Sequence, residues 1–372
     1  MERKKILLVA YNDLGLGGIQ NVMMTIVRHL SDEFLFDIVC FDSERTNFDA
    51  EFESFGGKIF RVEKKYRNSF TKRLDFYIRG GRIRRAIRKI ILENGPYIAV
   101  HSHKAWENGL ILRVAKRCGV PARIAHAHTA FDSKYHPIAG SYMAYLKRLT
   151  AKNATALVAC SKKAGKNLFG ENAAFHTVYN TVDERFLQDP PTPPVFSAPV
   201  LLQVGMICHN KNQLFSIDVL SALKAIYPNA ELYFIGEAKD AEMEAYFAHL
   251  KARILELGVA DAVRFLPAAD VKAEMSKSTY VIFPSFFEGL GIVPIEAQAT
   301  GMKCFVSDSV TKEIDCGGCT FLSLTAGAKA WASAIDSQFQ KDHGARAEYD
   351  MTRFRQEVIM EQYRKLYKGE FD

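Results

Sequence analysis

A chain of 372 residues, 48% hydrophobic and 24% charged, is globular and long enough for two cores at roughly 150 residues per domain. That composition excludes a disordered chain, a collagen and a small disulfide scaffold. The 49 basic and 42 acidic residues leave +7, a surplus that could serve nucleic acid, a membrane surface or an anionic substrate, so its distribution has to decide.

Met1-Glu2-Arg3-Lys4-Lys5 has the basic opening of a signal peptide, but only Ile6 to Ala10 are apolar before Tyr11-Asn12-Asp13. This predicts a strand over 6–10 and no h-region. Ile19, Val22, Met23, Ile26, Val27 and Leu30 then keep the spacing of an amphipathic helix. Strands are predicted over 35–41, 97–101, 122–127 and 155–160, with helices near 74–93, 106–118, 140–151 and 161–169. The proline cluster Gln188-Asp189-Pro190-Pro191-Thr192-Pro193-Pro194 continues neither a helix nor a central strand and marks a domain boundary. Strands near 200–204, 231–235, 262–266, 279–283 and 303–307 follow, with helices near 212–226, 241–257 and 292–300. The alternation predicts an α/β protein with two doubly wound domains facing across a cleft, ligands meeting the loops at the carboxyl ends of the strands. The most apolar stretch, 279–300, is broken by Pro284, Glu288, Pro294 and Glu296, so no spanning helix is predicted and the protein is expected to be soluble or peripheral.

Seven cysteines are an odd number, and Cys40, Cys160 and Cys304 lie in apolar strand-like runs, as small buried hydrophobes of a reducing cytosol do. Cys316-Gly-Gly-Cys319 has a redox or zinc spacing, but without a second pair or a nearby histidine it reads as a loop.

The first loop, Asp13-Leu14-Gly15-Leu16-Gly17-Gly18-Ile19, lets backbone approach a ligand ahead of a helix N-terminus. A dinucleotide fingerprint wants a third glycine near Asn21, although Asp42 sits where a ribose-binding acid would. His101-Ser102-His103 and His126-Ala127-His128 end two strands. Each spacing puts two rings on one face, which suits either a metal, with Asp132 the one carboxylate at hand, or hydrogen bonds to sugar hydroxyls. In the second half, Val204-Gly205-Met206-Ile207-Cys208-His209-Asn210-Lys211-Asn212 opens a helix, and Gly205 with Lys211 there can hold a diphosphate.

Glu288-Gly289-Leu290-Gly291-Ile292-Val293-Pro294-Ile295-Glu296 places one acid in a loop and another a turn inside a helix that starts near Ile292 or Val293. Eight helical residues span about 12 Å, against roughly 5 to 9.5 Å for paired glycosidase carboxylates. The two acids therefore suit the two ends of one extended ligand, with the glycine backbone between them facing its negative centre. Basic charge concentrates elsewhere: residues 61–90 carry twelve Lys/Arg against Glu63 and Asp75, a net of +10, which leaves −3 for the other 342 residues. Interleaved with Phe70, Leu74, Phe76, Tyr77, Ile78, Ile83 and Ile87, this reads as a basic amphipathic helix for an anionic membrane surface, with Arg82, Arg84, Arg85 and Arg88 in contact, in preference to nucleic acid.

The acid pair is the E-x7-E motif of the retaining glycosyltransferases of family 4. The chain resembles that family nearly throughout: G-G-I-Q at Gly17, A-H-T at His128, A-C-S-K at Ser161, Y-N-T-V-D at Asn180, V-G-x5-K-N at Gly205 and S-D-S-V-T-K-E at Ser307. The last segment looks like the bacterial exopolysaccharide and capsular branch. The resemblance implies a GT-B fold, with an acceptor-side Rossmann-like domain over 1–187 and a nucleotide-sugar domain over 188–350. A C-terminal helix within 351–372 would cross back to the first domain. It implies that Glu296 binds ribose hydroxyls, that Lys211 and the Leu290 and Gly291 amides hold the diphosphate, and that Glu288 contacts the donor sugar. His128 would bind a donor hydroxyl near the reaction centre, and Gly17, Gly18 and Gly205 would make room. No protein nucleophile, metal or cofactor is implied, since the nucleotide sugar, UDP-linked in this branch, is a substrate. The acceptor would be a lipid-linked saccharide and the location cytoplasmic, peripheral on the inner membrane; no oligomeric state is implied.

The chain departs from the family at Met206, where an arginine commonly adds a second cation at the diphosphate. His209 could substitute, or Lys211 alone could suffice with weaker binding. Competing readings are a sugar-nucleotide epimerase of the same fold, a catalytically weak partner subunit, a nicotinamide-dependent oxidoreductase and a basic nucleic-acid or membrane binder.

Overall fold

The computed structural model describes residues 3–15, 17–42, 44–62, 69–129, 140–188, 194–266 and 270–370, with backbone alone at 69–80, 140 and 141. The chain divides into two units, Met1–Asn180 with Glu357–Asp372, and Thr181–Gln356. The division precedes the proline cluster because the segment ahead of that cluster already binds the second unit: Val182 N–H donates to the Phe354 carbonyl, and the short helix over 184–187 packs on the helix over 292–299. Residues 189–193 of the cluster, and Asp132, lie outside the described residues.

In the first unit, β1 (Lys4–Val9) leads to α1 (Gly18–Leu30), β2 (Phe34–Cys40), α2 (Asp49–Ser54), β3 (Ile59–Arg61) and α3 (Ser69–Asn94). Then come β4 (Tyr97–Ser102), α4 (Asn108–Arg117), β5 (Ala122–Ala127), α5 (Gly140–Asn153), β6 (Ala156–Ala159), α6 (Lys162–Phe169) and β7 (His176–Thr177). The sheet is parallel in the order β3-β2-β1-β4-β5-β6-β7. Alternation along β1 explains the two-sided burial. Ile6 and Leu8 join Val22, Met23, Ile26 and Val27 of α1 in one core, while Leu7 and Val9 join Val100 and Ile111 in the other.

The second unit begins with α7 (Glu184–Leu187) and continues through β8 (Val200–Val204), α8 (Gln213–Lys224), β9 (Glu231–Ile235), α9 (Ala241–Glu256), β10 (Val263–Phe265) and α10 (Val271–Ser276). After these come β11 (Tyr280–Phe283), α11 (Ile292–Ala299), β12 (Lys303–Ser307), β13 (Cys319–Leu322) and α12 (Gly327–Asp342). Its sheet, β10-β9-β8-β11-β12-β13, is again parallel and has the strand order of a Rossmann fold. Finally α13 (Gln356–Lys368) adds Ile359, Met360, Tyr363, Leu366 and Tyr367 to the first unit's core.

Cys319 corrects the loop reading, because it opens β13 and pairs with Cys304 of β12. The turn before it is tied down by Gln298, whose Oε1 accepts from the Cys316 and Gly318 amides at 2.7 and 3.1 Å. Other stretches of the family resemblance are helix caps. Ser161 accepts from the Ala164 amide to start α6, and Asp183 from the Arg185 amide to start α7. Among the described residues no helix is long and apolar enough to cross a membrane.

Candidate active site

In the second unit the loops after β8 and β11 are knitted together. Asn210 accepts from the Phe287 amide at 3.3 Å and donates to its carbonyl at 3.0 Å, its own carbonyl accepts from the Phe286 amide, and Asn212 donates to the Pro284 carbonyl. Lys211 and Glu288 thereby meet, Nζ to Oε1 at 2.7 Å, only 17% and 15% exposed. Gly205 has φ +144°, and a Cβ there would stand 3.1 Å from Lys211 Cε, so glycine both accepts this backbone and leaves room for the lysine stem. Asn210 and Asn212 belong to the site as clamps. The sequence carries them inside V-G-x5-K-N, but nothing in the residue types alone reveals that they bridge to the next loop.

The helix of the second acid starts where expected. Gly291, at φ +97°, caps α11, Pro294 occupies its first turn, and Leu290 is buried. Among the described residues no acceptor is found for the amides of Leu290 to Val293, which with the helix dipole favour an anion. Glu296, one turn further, is half-buried, and no hydrogen bond to its carboxylate is found among the described residues. Loss of solvent pushes its pKa up to about 7, with Arg185 working downward and Asp183 upward.

Met206 projects outward, 43% exposed, while its carbonyl accepts from Gln213 Nε2 at 2.9 Å. His209 is stacked on Phe286, ring centroids 5.1 Å apart, and meets the edge of Tyr246. No described contact joins it to Lys211 or Glu288.

In the first unit, Gly17 caps α1 in an extended conformation and Gly18 begins it. A Cβ on Gly18 would meet nothing within 4 Å, so the protein itself gives no steric reason for glycine. Asp13 steadies this loop by accepting from the Gly15 amide and Gln20 Nε2. Asp42, the ribose-binding acid of the oxidoreductase reading, is instead ion-paired with Arg61, which also grips Asp49.

The two H-x-H segments converge. His101, His103 and His126 are buried and His128 is half-buried. His103 Nδ1 lies 2.7 Å from His128 Nε2, His101 Nε2 lies 3.1 Å from His126 Nδ1, and His101 Nδ1 lies 2.8 Å from the Tyr367 hydroxyl. The Cys160 thiol donates to the His128 carbonyl. Desolvation drives all four imidazole pKa values down, that of His128 to about 3 and that of His101, also facing His128, to about 3, so the rings are neutral. Nitrogens of His101, His103 and His126 lie within 4.8 Å of one another, but a metal could take all three only if His101 released Tyr367 or His126. A cavity of about 970 Å³ lies at the other end of this sheet, among Lys4, Phe34, Ile98, Ala122 and Ala156 at the strand starts, away from these groups.

On α3, Ile83, Ile87, Ile90 and Ile91 are buried in the first unit's core, each contributing about 1.5–3 kcal/mol. Arg82, Arg84, Arg85, Arg88 and Lys89 are exposed on the opposite side. This changes the amphipathic reading: over 81–94 the apolar face is already used for packing, and only Leu92, 58% exposed, is an outward large apolar side chain. The side chains of Phe70 to Ile78 lie outside the described residues.

Comparison with known proteins places this geometry. Residues 16–186 match the model of Glycosyltransferase Family 4, and residues 191–320 that of Glycosyl transferases group 1. The chain is a GT-B glycosyltransferase of the family 4 type. It is similar to EpsF, assigned as a glycosyltransferase in Bacillus subtilis, at 29% identity over 89% of this chain and 87% of that one. It is also similar to the capsular polysaccharide biosynthesis glycosyltransferase CapH of Staphylococcus aureus, at 26% over 82% and 81%. An Escherichia coli enzyme that transfers galactose from UDP-Gal to GlcNAc-diphosphoundecaprenol matches at 25% over 59% of each chain. Anabaena Alr3699/HepE, solved with UDP and glucose, superimposes with a TM-score of 0.77 at 16% identity, over 99% of this chain and all of that one.

Proposed function

We propose that this glycosyltransferase moves a hexose or N-acetylhexosamine, with retention, from a UDP-sugar to a lipid-linked saccharide in bacterial extracellular or capsular polysaccharide synthesis. The observation that carries the reading is the Lys211–Glu288 pair in the same unit as the capped start of α11 and the Glu296 carboxylate, unpartnered among the described residues. A leaving nucleoside diphosphate gathers negative charge, and an ammonium with preorganised helix amides stabilises that charge without a metal. Lys211 and the Leu290 and Gly291 amides hold the diphosphate, and Glu288 steers Lys211 and contacts the sugar. Glu296 accepts from ribose hydroxyls. Gly17 and Gly18 give backbone access, which accounts for a glycine at 18 that the fold does not require. His128 meets a donor hydroxyl. The bond from the anomeric carbon to the diphosphate breaks as the acceptor oxygen attacks the same face, and the acceptor proton passes to the departing phosphate oxygen.

The capsular and undecaprenol-linked relatives support the substrate classes, and the exposed basic side of α3 supports work at the cytoplasmic face of an anionic membrane. A thermal-shift screen of UDP-, GDP- and ADP-sugars, followed by turnover on lipid-linked acceptors with and without EDTA, tests the reading. UDP-sugars are expected to stabilise the protein and EDTA to leave the rate unchanged; no stabilisation by any nucleotide sugar would defeat it. Reversing Arg82, Arg84, Arg85 and Arg88 to glutamate should release the protein from anionic vesicles, at about 1 kcal/mol per arginine lost. Undiminished sedimentation with those vesicles would remove the membrane part.

A further inference from the structure

The histidine cluster carries its own hydrogen assignment. His103 Nε2 and His126 Nε2 are both buried without a hydrogen-bond partner. Each neutral imidazole has one N–H and one lone pair, and an orphaned N–H is rarer and costlier in an interior than an unused acceptor. The hydrogen of His103 therefore sits on Nδ1. Along His126, His101 and Tyr367 either direction leaves one buried donor, the His126 Nε2–H or the Tyr367 O–H, without an acceptor among the described residues. On the other side His103 Nδ1 donates to His128 Nε2 at 2.7 Å, which leaves that nitrogen bare of hydrogen and puts the His128 hydrogen on Nδ1. Among the described residues no partner occupies His128 Nδ1.

We propose that His103 is a positioning residue for sugar transfer, locking His128 in the Nδ1–H tautomer so that His128 meets the sugar as a hydrogen-bond donor to a hydroxyl oxygen. This rests on the reading of His128 as a donor-sugar contact. His126 and His101 pack against the pair with their rings tilted: the His126 and His128 centroids are 3.9 Å apart at 32°, and those of His101 and His103 are 4.2 Å apart at 36°. Tyr367 ties the cluster to α13. The cluster does not form a metal cage as it stands, because both His101 nitrogens are engaged and the two unpartnered nitrogens, of His103 and His126, fall short of the three or four ligands of a zinc site.

Long-range proton–nitrogen NMR of the full chain, labelled on histidine nitrogen, reads the tautomers, with His128 signals identified by their loss in His128→Gln. The expected spectrum shows a protonated Nδ1 and a bare Nε2 for both His128 and His103. His103→Leu should move His128 toward a tautomer mixture and lower kcat about tenfold. His103→Asn, whose amide N–H can stand where Nδ1–H stood, should restore both. A wild-type His128 carrying its hydrogen on Nε2, or a His128 tautomer indifferent to His103→Leu, overturns the proposal, as does stoichiometric zinc uptake by the histidine cluster. If His103→Leu fails to fold, the wild-type and His103→Asn spectra decide. The spectra need no substrate, so a failure of the transferase reading shows in turnover alone and is told apart from a failure of the tautomer lock.

Discussion

At the carboxyl ends of β4 and β5, burial strips four imidazoles of charge, whereas at the ends of β8 and β11 Lys211 Nζ and Glu288 Oε1 stand 2.7 Å apart as an ion pair. Both sets sit on parallel sheets of the same Rossmann order, so fold does not set the difference. Neighbours do. Among the described residues the four rings hydrogen-bond only to one another and to Tyr367, and a cation among them would lose water and gain nothing. Lys211 has Glu288, and its Nζ also lies over the Phe283 ring at 4.9 Å. Neutral rings suit the reading of hydroxyls, while an ion pair suits a ligand whose charge changes during reaction.

The largest effect should come from removing that charge. Lys211→Met is expected to lower kcat/KM for the nucleotide sugar roughly a hundred- to a thousandfold, and to destabilise the fold by about 1–3 kcal/mol because Glu288 loses its partner. Adding Glu288→Gln should recover the stability and not the rate. If urea unfolding and turnover recover together, the lysine is a structural partner and the contrast between the two regions collapses.

Glu296 sharpens the contrast within the second unit, since of the two E-x7-E acids it is the one for which no ion pair is found among the described residues. Its folded pKa, about 7, lies above the ordinary 4.5, so the native state holds more protons than the unfolded one between those values. The stability it contributes is therefore fully present below pH 4.5 and lost as pH rises through about 7. Relative to the wild protein, Glu296→Gln should gain stability between about pH 5 and about pH 8, by up to about 3 kcal/mol. The variant should also lose the rise in UDP-sugar affinity that ionisation of a hydroxyl-accepting carboxylate gives the wild protein over that range. Parallel stability curves for the two proteins would show that Glu296 ionises as an exposed acid does.

Much of this was legible beforehand, and what was not has local causes. The cores of β1 and β11 announce themselves as unbroken apolar runs because both faces are covered, β8 does so but for the buried Gln203, and Gly291 and Pro294 announce the start of α11. Edge strands do not: β3 is Ile59-Phe60-Arg61 and β7 is His176-Thr177, too short for any period. β13 hid behind the cysteine spacing, and the Trp331, Ile335 and Phe339 stripe of α12 was diluted by alanine and polar neighbours. The E-x7-E acids and Lys211 could be named from motif order, but their pairing depends on Asn210 and Asn212 bridging two loops 70-odd residues apart. The histidines were visible as two separate H-x-H steps; that they join into one hydrogen-bonded set is a consequence of β4 and β5 lying side by side.

Met206 offers the finest test of what the second region lacks. Its side chain is exposed while its backbone is fixed by Gln213, so Met206→Arg can extend a guanidinium without disturbing the core, and stability should change by no more than about 0.5 kcal/mol. With His209 held in its stack on Phe286, the added arginine would be a second cation beside Lys211. UDP-sugar affinity, read by calorimetry, should rise about five- to tenfold at low salt, in line with one charge-assisted hydrogen bond. The gain should shrink as salt screens it. An arginine that leaves affinity unchanged or weaker would mean that Lys211 and the helix amides already saturate the diphosphate, and that charge is not what limits this site.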